Sequence, residues 1–444
     1  MPTGLQPVPS DSPVGQQKKG TASGAAQIPF ARASKWHIEQ SNQQQGISLA
    51  AGQQVFNFPL ASYGYLSAVL ITVQLSGALA GSAMTYFEDA PYSLISQVQL
   101  SDVNGVPIFQ LSGFHAYLAA KYGGYRLFQF DGVAKGAPFD SPTTAFIGVA
   151  NQLTGGAGTD QGAGGGPLAS VNAQTNAVYG YGGYFSPPIA GAGGMNTKFI
   201  IPIFLEFGLD GLGCLPNMDA SARYNLQLTV AGGANVSAVT GPYVTGGTIC
   251  TTLPTMSINI EILARSQPPA QDMFGNMNSI APPAVGTVQY WTNQTASGLA
   301  NGANTIQLTR VGNLIRNHIL VWRSSSITLN PRAGAELADM PSLFEMDWDV
   351  GQRYVTQTST LRLLNGYAAY GYDVPNGVIV LPNTLDPEGS PGHEYGDEWL
   401  GTVGATKLTL RYSPGASASG GSVSILTNDI VPASAQVYNA AHMS

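Results

Sequence analysis

The stretch from Val55 to Tyr125 recurs, in outline, from Ile306 to Tyr372. The first copy opens with Val55-Phe56-Asn57-Phe58 and the apolar run Leu66–Val73. The second opens with Ile306-Gln307-Leu308 and the run Leu314–Val321. Each then reaches a Pro-anchored strand, Asp89-Ala90-Pro91-Tyr92-Ser93-Leu94 and Asp339-Met340-Pro341-Ser342-Leu343. Each closes on Tyr and Gly, at Lys121-Tyr122-Gly123-Gly124-Tyr125 and Ala369-Tyr370-Gly371-Tyr372. Pro91 and Pro341 stand 250 positions apart, Tyr122 and Tyr370 248 apart. A near-constant offset across several strand-like segments marks a duplicated domain, and this restricts the fold to two copies of one unit.

Inside the unit the period is that of strands. Gln53–Phe58 alternates apolar with polar, and Leu94–Leu100 sets Val98 and Leu100 opposite Gln97, Gln99 and Ser101. Asp102-Val103-Asn104-Gly105 carries a hairpin Asn-Gly, and Ser112 is placed to cap a short helix over Gly113–Tyr122. Further strands are expected at Phe199–Phe207, Tyr224–Val230 and Met256–Leu263. In the second half they fall at Thr287–Trp291, Thr305–Leu308, Ile315–Trp322, Leu343–Val350, Val378–Leu381, Lys407–Tyr412 and Ser422–Leu426. The 55 glycines and 29 prolines suit many turns, and 44% hydrophobic residues supply ample core. Charged residues make up only 10%, against roughly one quarter in ordinary soluble domains. The expected fold is all-β: two tandem sandwiches with short helices and long surface loops.

The composition divides the chain further. Residues 1–46 read as a largely flexible N-terminal arm, 47–266 as the first sandwich, 267–285 as a Pro-containing linker, 286–435 as the second sandwich and 436–444 as a tail. Within the first sandwich, a Gly-rich segment at about 131–196 reads as a projecting surface loop. The arm up to Ile28 is Pro, Gly, Gln and Ser with Lys18-Lys19. It either stays disordered or orders against neighbours or an anionic membrane surface. A net charge of −7 provides no basic field for a phosphate backbone, so sequence-specific nucleic-acid binding is not expected. Cys214 and Cys250 could pair only with each other, too few for a disulfide framework. The start lacks a basic region followed by an apolar one, and the longest apolar run, near Leu66–Ala80, is broken by Gln74, Ser76 and Gly77. Synthesis in a cytoplasm is the expectation.

Chemistry-bearing motifs resolve into ordinary structure. Gly156-Ala157-Gly158 lacks the third glycine of a dinucleotide loop, and no GK[ST] follows a strand. In Glu345-Met346-Asp347-Trp348-Asp349, alternation places Glu345, Asp347 and Asp349 on one strand face, with Phe344, Met346, Trp348 and Val350 toward the core. A calcium loop starting at Asp347 would need Glu at its twelfth position, which is Thr358. Asp386, Glu388, His393, Glu394, Asp397 and Glu398 share one loop without ligand spacing. His37, His115, His318, His393 and His442 are scattered, and His115 and His318 read as hydrogen-bonded core residues. No catalytic, cofactor-binding or metal-ligating residue is assigned, no cofactor is expected, and the chain is read as a non-enzyme.

With the strands laid out, the first half resembles the double jelly-roll major capsid proteins of tailless, internal-membrane bacteriophages, the tectivirus-like lineage that includes the adenovirus hexon. The likeness rests on Val55–Phe58 with Leu66–Gln74, Asp89-Ala90-Pro91 leading into Leu94–Leu100, Gly113–Leu118, and Phe199–Phe207 with Asp210–Leu215 and Tyr224–Leu228. The second half matches through its echo of the first. The resemblance implies two eight-stranded jelly rolls per chain and a homotrimer with a pseudo-hexagonal base. It further implies self-assembly into an icosahedral virion shell, with neighbouring trimers, minor capsid and vertex proteins, and an internal lipid membrane reached by the arm as partners. A virion spike or cell-surface carbohydrate-binding sandwich is the competing class, and a jelly-roll glycosidase would need a carboxylate pair in a groove. Deletion of Met1–Ile28 is expected to spare the trimer and impair shell assembly.

Overall fold

The computed structural model describes residues 27–49, 52–76, 84–86, 89, 92–123, 125, 197–231, 244–247, 255–299, 302–323, 341, 343–348, 351–357, 377–382, 399–402, 404–412 and 421–431. The arm before residue 27, the Gly-rich segment 131–196, the acidic loop Asp386–Glu398, the Tyr370–Tyr372 close of the second copy and the tail 436–444 lie outside them.

In the first half a one-turn helix α1 (Phe30–Ala33) precedes strands β1 (Trp36–Ser48), β2 (Gln54–Pro59), β3 (Tyr65–Ser76), β4 (Met84–Tyr86), β5 (Ile95–Ser101) and β6 (Pro107–Leu111). Helix α2 (Gly113–Tyr122) follows, then β7 (Thr197–Phe204), β8 (Leu215–Pro216), β9 (Asn225–Val230), β10 (Val244–Gly247) and β11 (Thr255–Arg265). One sheet runs β1-β11-β3-β7, and the facing four strands run β2-β9-β5-β6. Strands distant in sequence are neighbours in both layers, which is the winding of an eight-stranded jelly roll. The alternation expected along Met256–Leu263 is realised in β11, where Met256, Ile258, Ile260 and Ile262 are fully buried. Ser112 caps α2 by accepting from the His115 N–H.

The second half repeats this with β12 (Val288–Ser297), β13 (Asn304–Gln307), β14 (Leu314–Arg323), β15 (Leu343–Trp348), β16 (Gly351–Gln357), β17 (Val378–Pro382), β18 (Leu400–Gly401), β19 (Leu408–Tyr412) and β20 (Ser422–Val431). The orders β17-β14-β20-β12 and β13-β19-β15-β16 reproduce the first roll strand for strand. The duplication holds at residue level. Leu66 pairs with Leu215 at the start of β3, and Ile315 pairs with Leu400 at the start of β14, 249 positions on. Ser67 is skipped in the β3–β11 ladder, and Arg316 is skipped at the same step of β14–β20. The offset is not uniform: Leu100 and Met346, each one step before a bulge, are 246 apart.

Two readings are corrected. Residues 36–46, assigned to a flexible arm, belong to β1, which pairs with β11 from Trp36↔Arg265 to Ser48↔Thr255. Its Ser41-Asn42-Gln43-Gln44-Gln45 run lacks apolar alternation because β1 lies at a sheet edge and only Ile47 is buried along it. The strand expected over Leu343–Val350 ends at Trp348, where β16 turns back with Trp348 opposite Gly351.

The rolls are joined through one sheet. Trp291 of β12 pairs in parallel with Phe109 of β6, so the first roll's β2-β9-β5-β6 layer continues into the second roll's β12-β20-β14-β17 layer. Those inner strands are therefore covered on both faces. Along β14, Leu314, Ile319 and Val321 belong to the first roll's core, while Ile315, Leu320 and Trp322 belong to the second's. This is why Leu314, Ile315 and the run Ile319–Trp322 show no apolar–polar alternation. Gly113–Ala120 and Tyr122 of helix α2 are all buried, on every side of the helix that they cover, which places it inside the protein. Among the described residues, no helix is long and apolar enough to cross a membrane.

Candidate functional site

Among the described residues, polar side chains gather at the junction between the rolls, beside α2, at the end of the first roll, and around the buried Asp429, which pairs with Arg310 at 2.6 Å. Gln289 donates from Nε2 to the carbonyls of Phe204 (2.6 Å) and Leu205 (3.0 Å), which stitches β12 to the end of β7. Its Oε1 accepts from the Tyr125 hydroxyl at 3.0 Å and from Asn428 Nδ2 at 3.1 Å. The same Tyr125 oxygen accepts from the Trp291 indole N–H at 2.6 Å. Arg316 is fully buried, donates to Asn428 Oδ1 at 3.0 Å and lies over the Tyr125 and Phe207 rings at 5.4 and 5.3 Å. A buried guanidinium is tolerable when its donors are used and aromatic faces line its flanks.

At the other side of α2, Arg323 of β14 pairs with Asp89 at 2.6 Å and lies over Phe114. His115 sits beside this pair; burial, then the Arg323 charge, pull its pKa down to about 3 against the opposing pull of Asp89. Burial alone takes His318 down to about 4. Both rings are in the core as expected, but neither has a hydrogen-bond partner among the described residues, so the expectation of hydrogen-bonded histidines does not hold there. Neutral imidazole tolerates that burial, whereas imidazolium would not.

The third place is the end of the first roll where the linker leaves. Arg265 makes a two-pronged pair with Glu206 (Nε–Oε2 3.0 Å, Nη2–Oε1 2.7 Å) and stacks under Trp36 at 4.0 Å. Ser67 and the Cys214 thiol also donate to Glu206, and burial, then the Glu206 charge, push that thiol well up. Cys214 is a free, buried thiol, and Cys250 lies outside the described residues. Beside them Phe30 is wholly buried against Tyr65 and Cys214, with the N–H groups of Phe30 and Ala31 donating to Asp210. Gly211, at φ +84°, leaves room for that ring: a Cβ there would stand 2.9 Å from it. The linker then exposes an apolar tip, Met273 at 89% and Phe274 at 81%, on a turn closed by Asp272.

The acidic strand behaves as alternation predicts where it is described. Met346 is in the second core, while Glu345 and Asp347 face Arg411 across the ladder at 4.0 and 3.1 Å; Asp349 lies outside the described residues. Among the described residues, no group of three His, Cys, Asp or Glu side chains is arranged to hold a metal. His37 stacks on Tyr63 at the surface, and His393 and His442 lie outside the described residues. Sequence reading missed the junction set of Gln289, Trp291, Arg316 and Asn428. Its only trace was polar residues inside strands with otherwise apolar faces.

The arrangement defines a class by fold: two jelly rolls on one chain, repeated in register and fused through a continuous sheet. No family model matches the sequence, and no curated protein matches it either. Solved structures do. The chain is similar to a protein in the atomic structure of Sulfolobus Turreted Icosahedral Virus, with a TM-score of 0.52 and 10% identity, covering 92% of this chain and 96% of that one. It is also similar to the crystal structure of the STIV MCP, with a TM-score of 0.50 and 12% identity over 90% of this chain and 97% of that one. A Faustovirus major capsid protein matches at a TM-score of 0.49 and 10% identity, covering 94% of this chain and 93% of that one. The fold is the double jelly roll.

Proposed function

We propose that this chain is a major capsid protein: a structural subunit that forms homotrimers with a pseudo-hexagonal outline and tiles them into an icosahedral virion shell, without catalysis. One observation carries the reading. The second roll repeats the first down to the same bulge, at Ser67 and Arg316, and the two are fused side by side through Trp291 and Phe109. Three such chains present six similar units to their neighbours, which is what a hexagonally tiled surface requires of a trimer. The similarity to virus shell proteins across nearly the whole chain supports it. The buried, ion-paired polar clusters serve cohesion in this reading.

The partners follow: copies of the same trimer, minor capsid and vertex proteins, and an internal lipid membrane met by the segment that leaves from Phe30. Assembly takes place in the host cytoplasm and the mature location is the virion. The experiment is the size and shape of the purified chain. A compact trimer with hexagonal outlines in electron micrographs supports the shell subunit. A stable monomer with affinity for glycans would favour a carbohydrate-binding sandwich instead.

A further inference from the structure

The loop that turns β5 into β6 holds a reactive pair of residues in a restrained hairpin. Asp102 closes Val103-Asn104-Gly105: its N–H donates to the Val106 carbonyl at 2.9 Å, and the Gly105 N–H donates to the Asp102 carbonyl at 3.1 Å. Asp102 Oδ1 accepts from the N–H groups of Asn104 at 2.9 Å and Val106 at 2.7 Å. Gly105 sits at φ +83°, where a side chain would be strained. Asn104 and Gly105 are both exposed, and the loop uses the Asn104 backbone.

The molecule builds this loop twice. Asp272 closes Met273-Phe274-Gly275 with the same bonds, and Gly275 has the same φ of +83°. The residue before the glycine is therefore free to vary, Phe274 in one loop and Asn104 in the other. Asparagine is a thermally labile residue, and before glycine its side-chain carbonyl carbon meets a backbone nitrogen that no neighbouring Cβ crowds. Among the described asparagines, Asn104 is the one that glycine follows.

We propose that Asn104 is a site of self-modification, converting to aspartate and isoaspartate at a rate that Asp102 holds down. The Gly105 nitrogen attacks Asn104 Cγ. A new C–N bond closes a succinimide ring as the Cγ–Nδ2 bond breaks, and ammonia leaves with the proton from the Gly105 N–H. Water then opens the ring at either carbonyl, so the net change is amide plus water to acid plus ammonia. Asp102 opposes the first step twice over: its carbonyl holds the hydrogen of the attacking nitrogen, and its Oδ1 fixes the Asn104 backbone. Reaction waits on local opening of the loop.

The consequence is electrostatic and local. The ladder beside the loop is neutral, with Gln99 opposite Gln110 and Gln227, and Gln227 opposite Asn57. Burial, then the Asp102 charge, raise the pKa of Tyr224 and of Tyr290 in β12, so the loop already sets one negative charge near the second roll. Conversion adds another to each chain. Isoaspartate also lengthens the backbone between Asp102 and Val106, at the foot of the strand that joins β12. The site follows from the loop and stands apart from the shell reading.

The test incubates the full chain at mildly alkaline pH and maps its peptides by mass spectrometry, with a synthetic Leu100–Ile108 peptide as the unrestrained reference. Asn104 should gain the mass of an amide-to-acid change, mostly as isoaspartate, more slowly than the reference and before Asn42, Asn57 or Asn225. Asp102→Ala, checked for an unchanged circular dichroism spectrum, should quicken the conversion several-fold. Asn104→Ala, which keeps the backbone bonds of the loop, should abolish it. An Asn104 that stays intact after the reference has converted, or that converts no sooner than the other three, overturns the site. An unchanged rate in folded Asp102→Ala overturns the restraint and the proposal with it. If Asp102→Ala does not fold, the unsubstituted protein decides: a rate equal to that of the reference overturns the restraint, and a slower one upholds it.

Discussion

Ser67 in β3 and Arg316 in β14 occupy the same bulge, one in each roll, and do opposite things with it. At the first, the backbone carbonyl accepts from the N–H groups of Leu205 and Glu206 while the hydroxyl donates to the Glu206 carboxylate. At the second, a guanidinium is buried between the rolls against Tyr125 and Phe207. A bulge re-aims a side chain without ending a strand. The duplicated backbone therefore supplies the position, and the residue type decides whether it serves a roll's end or the junction.

Arg316→Ala should destabilise the protein by about 3 kcal/mol, because it leaves Asn428 Oδ1 buried without this donor and opens a cavity between the rolls. Arg316→Met, which keeps the volume, should cost less. Urea unfolding of both variants checks the order, and equal stability of all three proteins would contradict it.

Tyr125 and Trp291 should be coupled. Tyr125→Phe removes both the acceptor for the indole N–H and the donor to Gln289, whereas Trp291→Phe removes one bond and some packing. Each single change should cost about 1–2 kcal/mol and the double change less than their sum, since they share one hydrogen bond. A double-mutant cycle on unfolding free energy measures this, and strict additivity would mean that the network does not act as one.

Acid should destabilise the fold in a defined window. The folded values of about 3 for His115 and about 4 for His318 lie below the ordinary imidazole value, so at mildly acid pH the unfolded chain binds more protons than the folded one. Stability from this source is full above about pH 6.5 and is lost progressively toward the folded values. Between pH 7.5 and pH 5 the two histidines should together remove roughly 4 kcal/mol. His318→Leu should flatten part of that slope; an unchanged slope would assign the acid sensitivity elsewhere.

Asp210→Gly should free the entry of the chain without disturbing the rolls. Asp210 sits at φ 56°, where glycine is comfortable, and its carboxylate holds the N–H groups of Phe30 and Ala31. Amide exchange should quicken at Phe30–Ala33 and stay slow in β3 and β11. The assembly role of the N-terminus is then best tested by removing Met1–Ala26, not through Ile28, whose N–H donates to the Met277 carbonyl while its own carbonyl accepts from Ser279. Trimers should survive the deletion and shell yield should fall.

Much of this fold is legible in the chain itself, for reasons particular residues make plain. β5 and β11 alternate because one face meets the core and the other does not, and Ser112 caps where a hydroxyl before a helix should. β1 was illegible because an edge strand with Gln and Asn on it carries no periodic apolar signal. The β15–β16 reversal was hidden because alternation from Phe344 to Val350 runs straight through it. The junction could not be read because Gln289, Arg316 and Asn428 meet only once two sheets are fused. Polar residues within a strand do not announce which distant strand will satisfy them. The histidines were placed in the core correctly, but their want of described partners depends on packing that no spacing encodes.

The central claim is that one chain carries two equivalent shell units and that three chains imitate six. Sedimentation-equilibrium mass of the full-length protein, read together with negative-stain class averages, tests it most directly. The account predicts a mass of three chains and a six-lobed, near-hexagonal outline. A monomeric mass at high concentration, or a two-fold particle with no hexagonal projection, would contradict it.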